Sequence, residues 1–319
     1  MSEQQTVEPV EQQTSESEGT TKLRQPLPLG PDSYTWQDFG SYLYHLMLPQ
    51  AFILQSAHPV IDAAVGKDKK YKHDPWGRAK NSTALLWPVV YARPEKAIEK
   101  GNELRELHRH IKGVDKNGKR YHALDPEAYT WVHLTGFDAT VRMYEYFGKP
   151  ITPDQRALMF EEWQQIGAML GIHERYIPKT EAEYWEVFNN MIDERLLYGE
   201  VLEDLLSPYY FRNYPKPPNM PWLPNFLWQL VITPAGWLFH KISVITLPQR
   251  FRAKLNLKVS KNDQRLFKLF SATVKIIFPL LPNRLQYIPL ASRAIRDAKS
   301  HPEAYRFNYR DADLGNAQA

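Results

Sequence analysis

Four times in the first half of the chain a polar residue stands directly before a proline that opens a helix-periodic stretch: Asp74-Pro75, Arg93-Pro94, Asp125-Pro126 and Thr152-Pro153. Proline is at home at the first position of a helix, where its missing N–H would have no intrahelical partner and its fixed φ is already helical. The pattern predicts a helix from Asp74 through Trp87 with a bend at Pro88, a second from Arg93 to Gly113, and a third from Asp125 to Gly148. Thr152-Pro153-Asp154-Gln155 is a capping box whose helix ends at Gly171, and Thr180-Glu181-Ala182-Glu183 heads another reaching about Leu206. Alternating β-branched runs joined by tight turns are nearly absent. The expected fold is therefore all-α, a single large helical domain over residues 31–305. It is flanked by an acidic, disordered tail at 1–30 and a short C-terminal tail at 306–319.

Composition narrows the chemistry. No cysteine occurs among the 319 residues, which excludes disulfides, iron–sulfur clusters, thiolate-ligated zinc or haem, and a cysteine nucleophile. The net charge of +4 carries no basic block of the kind that binds nucleic acid. The charge is unevenly spread, however. Glu3, Glu8, Glu11, Glu16 and Glu18 precede the first basic residue, Lys22, whereas fifteen Lys or Arg face five acids from Lys241 to the end. The N-terminal segment has neither the basic start nor the apolar stretch of a signal peptide, so the expected location is the cytoplasm.

Residues 208–248 stand apart. They hold Pro208, Pro215, Pro217, Pro218, Pro221, Pro224 and Pro234 among Trp222, Phe226, Trp228, Trp237 and Phe239, with no charged side chain between Lys216 and Lys241. That many prolines argue against a membrane span. Two readings fit: an apolar flap or membrane-interface element backed by the basic flank beyond it, or an irregular piece of the core.

The histidines carry the remaining chemical signal. On the helix opening at Pro94, the residues Ala97, Gly101, Leu104, His108 and Ile111 form one apolar stripe, so His108 is expected to face inward. His110 lies about 200° away and faces water. His108 suits either a hydrogen-bonded core residue or a metal ligand. His133 shares a helix face with Tyr129, Gly136, Phe137, Thr140 and Tyr144, where Gly136 would admit a flat ligand or simply another helix. Arg78 and Ser82, one turn apart, set a cation and a hydroxyl on a stripe with Leu85, Leu86 and Val89. They could orient O2 or neutralise a carboxylate, or Arg78 could pair with an acid. His58-Pro59 falls at a helix break, where the imidazole is expected to cap backbone carbonyls. No Gly-x-Ser-x-Gly elbow occurs, so a serine triad has no support.

In order along the chain stand Leu54-Gln55-Ser56-Ala57-His58-Pro59-Val60, Asp74-Pro75-Trp76-Gly77-Arg78, Leu107-His108-Arg109-His110-Ile111-Lys112-Gly113, and Asp125-Pro126-Glu127 with Trp131-Val132-His133. This ordered set resembles the superfamily of bacterial rubber oxygenase (latex-clearing protein) and the fungal membrane-bound oxygenase of mycophenolic acid biosynthesis. The resemblance is densest over residues 50–175. It implies a globin-like helical core around haem b and O2-dependent cleavage of a carbon–carbon double bond in an isoprenoid chain. It makes His108 the proximal haem ligand and metal-binding residue, puts Arg78 and Ser82 on the distal side, and places His133 beside the haem. Arg78, Ser82 and His133 are thereby catalytic candidates, and Arg78 and His133 cofactor-binding ones as well. Where rubber oxygenase has a distal lysine–threonine pair, this chain has Asn81-Ser82; the hydroxyl is kept, but Asn81 cannot act as a cationic ligand.

The expectation is thus an oxidoreductase that uses haem iron and O2 on a hydrophobic, isoprenoid or lipid-like substrate. Its peripheral membrane contact would run through 208–248 and the basic C-terminal region. The alternative is a haem- or lipid-binding sensor or carrier without turnover; a third reading uses the same pocket for hydrolysis or without a cofactor.

Overall fold

The computed structural model describes residues 26–305. Most of the acidic tail and all of the short C-terminal tail read from the sequence lie outside these residues. Leu27 and Leu29 are buried, so packed chain begins ahead of residue 31.

The fold is all-α apart from one small hairpin. Its principal helices are α1 (Leu48–Ser56), α2 (Pro59–Gly66), α3 (Pro75–Leu86) and α4 (Pro94–Arg109). A two-stranded antiparallel hairpin follows, β1 (Lys112–Val114) and β2 (Arg120–His122), in the register Lys112 to His122 and Val114 to Arg120. Then come α5 (Pro126–Tyr146), α6 (Pro153–Met169), α7 (Glu181–Asn190), α8 (Asn225–Thr246), α9 (Lys261–Ile277) and α10 (Pro289–Ser300).

The helix starts behave as proline and cap chemistry dictates. Asp74 accepts from the Gly77 N–H, Asp125 from Ala128, and Thr152 and Gln155 complete their capping box. Helix ends depart further from the reading. α4 stops at Arg109 rather than Gly113, because the next residues pair as a strand; the Asp115 carboxylate accepts from the Asn117 and Lys119 N–H groups and closes that hairpin. The helix expected to run from Thr180 to Leu206 is broken by a wide turn at Met191–Arg195 and resumes over Glu200–Leu206. Lys254 donates to the freed carbonyls of Ile192, Asp193 and Leu196, a partner far away in sequence. The Pro-rich segment is more regular than its composition suggested: α8 runs through Pro234, the Trp228 indole ties the preceding loop to it through the Tyr214 carbonyl, and the Lys216 ammonium closes that loop on the Leu223 carbonyl. Among the described residues no helix is long and apolar enough to cross a membrane.

The core is organised around α5, whose Trp131, Leu134, Phe137, Ala139 and Met143 are buried. α1, α6 and α7 wrap it, each joined to α5 by one polar tip on a carbonyl: the Trp131 indole of α5 donates to Leu54 of α1, Trp163 of α6 to His133, and the Tyr184 hydroxyl of α7 to Leu134. One buried acid of α5 is fully partnered. Asp138 accepts both from Arg142 at 2.8 Å and from Gln50 at 3.2 Å.

Candidate functional site

The stripe on α4 is buried at Ala97, Gly101 and Leu104, and it ends in a half-buried His108. The His108 Nδ1 lies 2.7 Å from the Leu104 carbonyl oxygen one turn back. A carbonyl can only accept, so Nδ1 carries the hydrogen and the Nε2 lone pair is left unprotonated. Burial lowers the pKa of this imidazole, against the opposing pull of the Leu104 carbonyl, and keeps it neutral near pH 7. The edge of its ring meets Tyr129 on α5, with centroids 5.6 Å apart and planes at 68°. The Tyr129 hydroxyl in turn donates to the Leu170 carbonyl. His110 is exposed and lies 3.3 Å from Glu106.

One turn beyond Tyr129, His133 is 5% exposed and stacks on Trp163 at 5.5 Å and 17°. Two glycines make this possible. A Cβ on Gly167 of α6 would come within 2.9 Å of the His133 Nε2, and one on Gly136 within 2.4 Å of the Trp163 ring. The space at Gly136 is therefore filled by Trp163, a helix–helix contact. The His133 Nδ1 is buried with no hydrogen-bond partner among the described residues. Burial pushes its pKa down to about 3, so this ring is neutral too.

Arg78 on α3 is half-buried, its guanidinium carbon 4.0 Å above the Phe52 ring of α1. Among the described residues no carboxylate lies within ion-pair distance of it; burial lowers its pKa, while Tyr210, the more distant Asp68 carboxylate, Tyr214 and Tyr71 oppose that shift. Ser82, expected beside it, is exposed and makes no side-chain hydrogen bond among the described residues; Asn81 is exposed as well. The structure thus joins His108 and His133 along one seam through Tyr129, and sets Arg78 on Phe52 rather than on either histidine. α1 spans the two groups: three residues after Phe52, Gln55 donates to Thr135 on α5 at 2.8 Å.

Several of these partners have no sequence signature. Phe52 and Trp163 are apolar residues in apolar runs, and nothing in their spacing marks the rings beneath Arg78 and His133. The Leu104 carbonyl could have been found, since a helical residue's predecessor by four always offers one near a helix end. His58 caps α2 as a structural residue does, but through a donor rather than carbonyls: its Nδ1 accepts from the Val60 N–H, and Nε2 meets Glu127 at 3.1 Å. Among the described residues no group of three or more His, Asp or Glu could hold a metal ion by itself. A metal at His108 would thus need ligands from a cofactor, as a porphyrin supplies.

Comparison with known proteins gives distant relatives. The chain is 22% identical over 246 residues to the uncharacterized protein Mb2261 of Mycobacterium bovis, a match that covers 75% of this chain and 91% of the relative. The same figures hold for the uncharacterized protein Rv2237 of Mycobacterium tuberculosis. No solved structure matches significantly. The family model described as ER-bound oxygenase mpaB/B'/Rubber oxygenase, catalytic domain, matches residues 36–276, which include every side chain of the seam and of the Arg78 group. By that match, the chain belongs to the mpaB and rubber oxygenase family of oxygenase catalytic domains.

Proposed function

We propose that this oxygenase-family domain is a haem b-dependent enzyme that uses O2 to cleave a carbon–carbon double bond in a hydrophobic, isoprenoid or lipid-like substrate. One observation carries the reading: His108 is a neutral imidazole whose Nδ1 is bound to the Leu104 carbonyl and whose Nε2 is unprotonated. A second-ring-nitrogen hydrogen bond of this kind fixes the tautomer and orientation of a metal-ligating histidine. The donor set therefore suits a haem iron held by His108 Nε2.

The haem would supply the iron centre at which O2 is activated. The other work falls to the chain. Tyr129 holds the His108 ring edge-on and so limits its rotation. Arg78, a cation without a carboxylate partner, would neutralise a haem propionate or a substrate carboxylate. Ser82, exposed and unbonded, is free to donate to a polar group on the distal side. His133 is kept neutral near pH 7 by burial, so it would act by packing, stacked on Trp163 behind the seam, rather than as an acid.

Absorbance of the purified protein reconstituted with haemin tests this directly. A Soret band is expected for the wild type and for His110→Ala, and its loss for His108→Ala. Oxygen uptake with isoprenoid alcohols or unsaturated lipids then separates enzyme from carrier. Protein that stays colourless after reconstitution refutes the haem reading.

A further inference from the structure

Between Asp204 and Asp297 the sequence contains a single acid, Asp263, and the structure pairs it with Lys241 at 3.1 Å. The same stretch carries two helices with uncovered apolar faces. On α8, Phe226, Leu230 and Trp237 recur at i, i+4 and i+11, exposed by 67%, 69% and 40%; Trp222 just before the helix is 72% exposed. Lys241 continues that face by one more turn, so it leads up to the first turn of α9. α9 has two apolar faces. Phe267 is buried and Phe270 half-buried against Tyr146 and Phe147, at the end of α5. Leu266, Leu269, Ile276 and Ile277 lie on another side, with Leu269 66% and Ile276 68% exposed, and Leu280 just beyond the helix is 78% exposed.

The cations of α9 border that second face. Arg265, Lys268 and Lys275 fall together on its flank by helical spacing, and none is in an ion pair among the described residues. Exposed apolar area of this extent on a folded domain marks an interaction surface. Three occupants can be weighed. Nucleic acid would meet the cations but gain nothing from Leu, Ile and Phe. A second copy of the chain would bring like charges face to face across a region with no free acid. An anionic bilayer satisfies both features: Trp and Leu side chains enter the headgroup and acyl boundary while Lys and Arg meet lipid phosphates.

We propose that α8 and α9, with Trp222 and Leu280, form a membrane-docking face that lies in the interface of an anionic bilayer without crossing it. This proposal is independent of the haem reading, because none of these residues belongs to the His108 or Arg78 groups.

The test is co-sedimentation of the full chain with vesicles of phosphatidylcholine alone and of phosphatidylcholine mixed with phosphatidylglycerol. Binding is expected to the mixed vesicles, weakened by added salt. The variant Arg265→Gln/Lys268→Gln/Lys275→Gln should lose affinity on the order of fivefold for each cation removed. Leu269→Asp/Ile276→Asp should abolish binding, with helical content and melting temperature unchanged because both side chains are exposed. Failure of the wild type to sediment at low salt overturns the proposal, as does equal binding by wild type and both variants. A lipid-free dimer that the Leu269→Asp/Ile276→Asp variant disperses would reassign the face to a second copy of the chain.

Discussion

His133 should make this protein's stability fall steeply in mild acid, by an amount that follows from its burial. In the folded chain the ring is 5% exposed, stacked on Trp163, and its pKa is pushed down to about 3. In the unfolded chain it returns to the ordinary 6.5. Above that value both states are neutral at this site and it contributes nothing to the pH dependence. Below it the unfolded chain binds a proton that the folded chain refuses, so stability drops as the pH falls from 6.5 toward 3. One pKa unit corresponds to 1.36 kcal/mol, so going from about pH 7.5 to about pH 5 should cost about 2 kcal/mol through this residue alone. His45, His58, His108 and His240 also have lowered pKa values from burial, so the wild-type slope is a sum. The difference between wild type and His133→Phe isolates the term, because Phe keeps a flat ring against Trp163 and removes the proton site. Urea unfolding of both chains at the two pH values gives it. Identical pH slopes in the two proteins would refute the assignment of a buried, neutral His133.

Gly136→Ala should destabilise the fold by about 1–3 kcal/mol, since the new methyl would lie 2.4 Å from a Trp163 ring atom fixed by its hydrogen bond to His133. Thermal or urea unfolding checks this, and an unchanged midpoint would contradict the close crossing of α5 and α6. Arg78→Leu should separate folding from function: the guanidinium is desolvated and without an ion pair, so its removal should leave stability within about 1 kcal/mol of wild type. Oxygen uptake by haem-reconstituted protein should nevertheless fall by about tenfold or more, the cost of losing one charge-assisted contact. A large loss of stability with activity intact would make Arg78 a packing residue.

Much of the fold was legible because its helix starts are written in local chemistry. Asp74, Asp125, Thr152 and Thr180 act through bonds to residues three positions on, and a reader needs only the next turn to see them. The stripe ending at His108 was legible for the same reason, since helical periodicity is a short-range property. What escaped notice depended on distant partners. The break at Met191 is stabilised by Lys254, the hairpin after α4 by pairing with residues beyond a turn, and the continuation of α8 through Pro234 by packing against the short helix Pro208–Arg212. The candidate site divides along the same line. His108, His133, Arg78 and Ser82 could be named from type and spacing. Phe52 under Arg78 and Trp163 over His133 come from other helices, and Ser82 proved exposed because α3 turns that side outward.

The electrostatics of the two groups point in a common direction. His108 and His133 are both held neutral by burial, and Arg78 keeps a charge with no carboxylate in an ion pair to answer it. The buried Asp138, by contrast, is ion-paired with Arg142. A half-buried cation held over an aromatic ring, with no ion pair, retains capacity for an anionic partner. A bound molecule carrying an anionic group would fill it, and the neutral His108 imidazole offers its Nε2 lone pair to a hydrogen-bond donor or a metal. Under the proposed reading His108 would hold the haem iron, and Arg78 would face an anionic group of the haem or of the substrate. The two contributions separate by mutation: the spectrum should follow His108, whereas haem affinity should fall in Arg78→Leu with the Soret position unchanged.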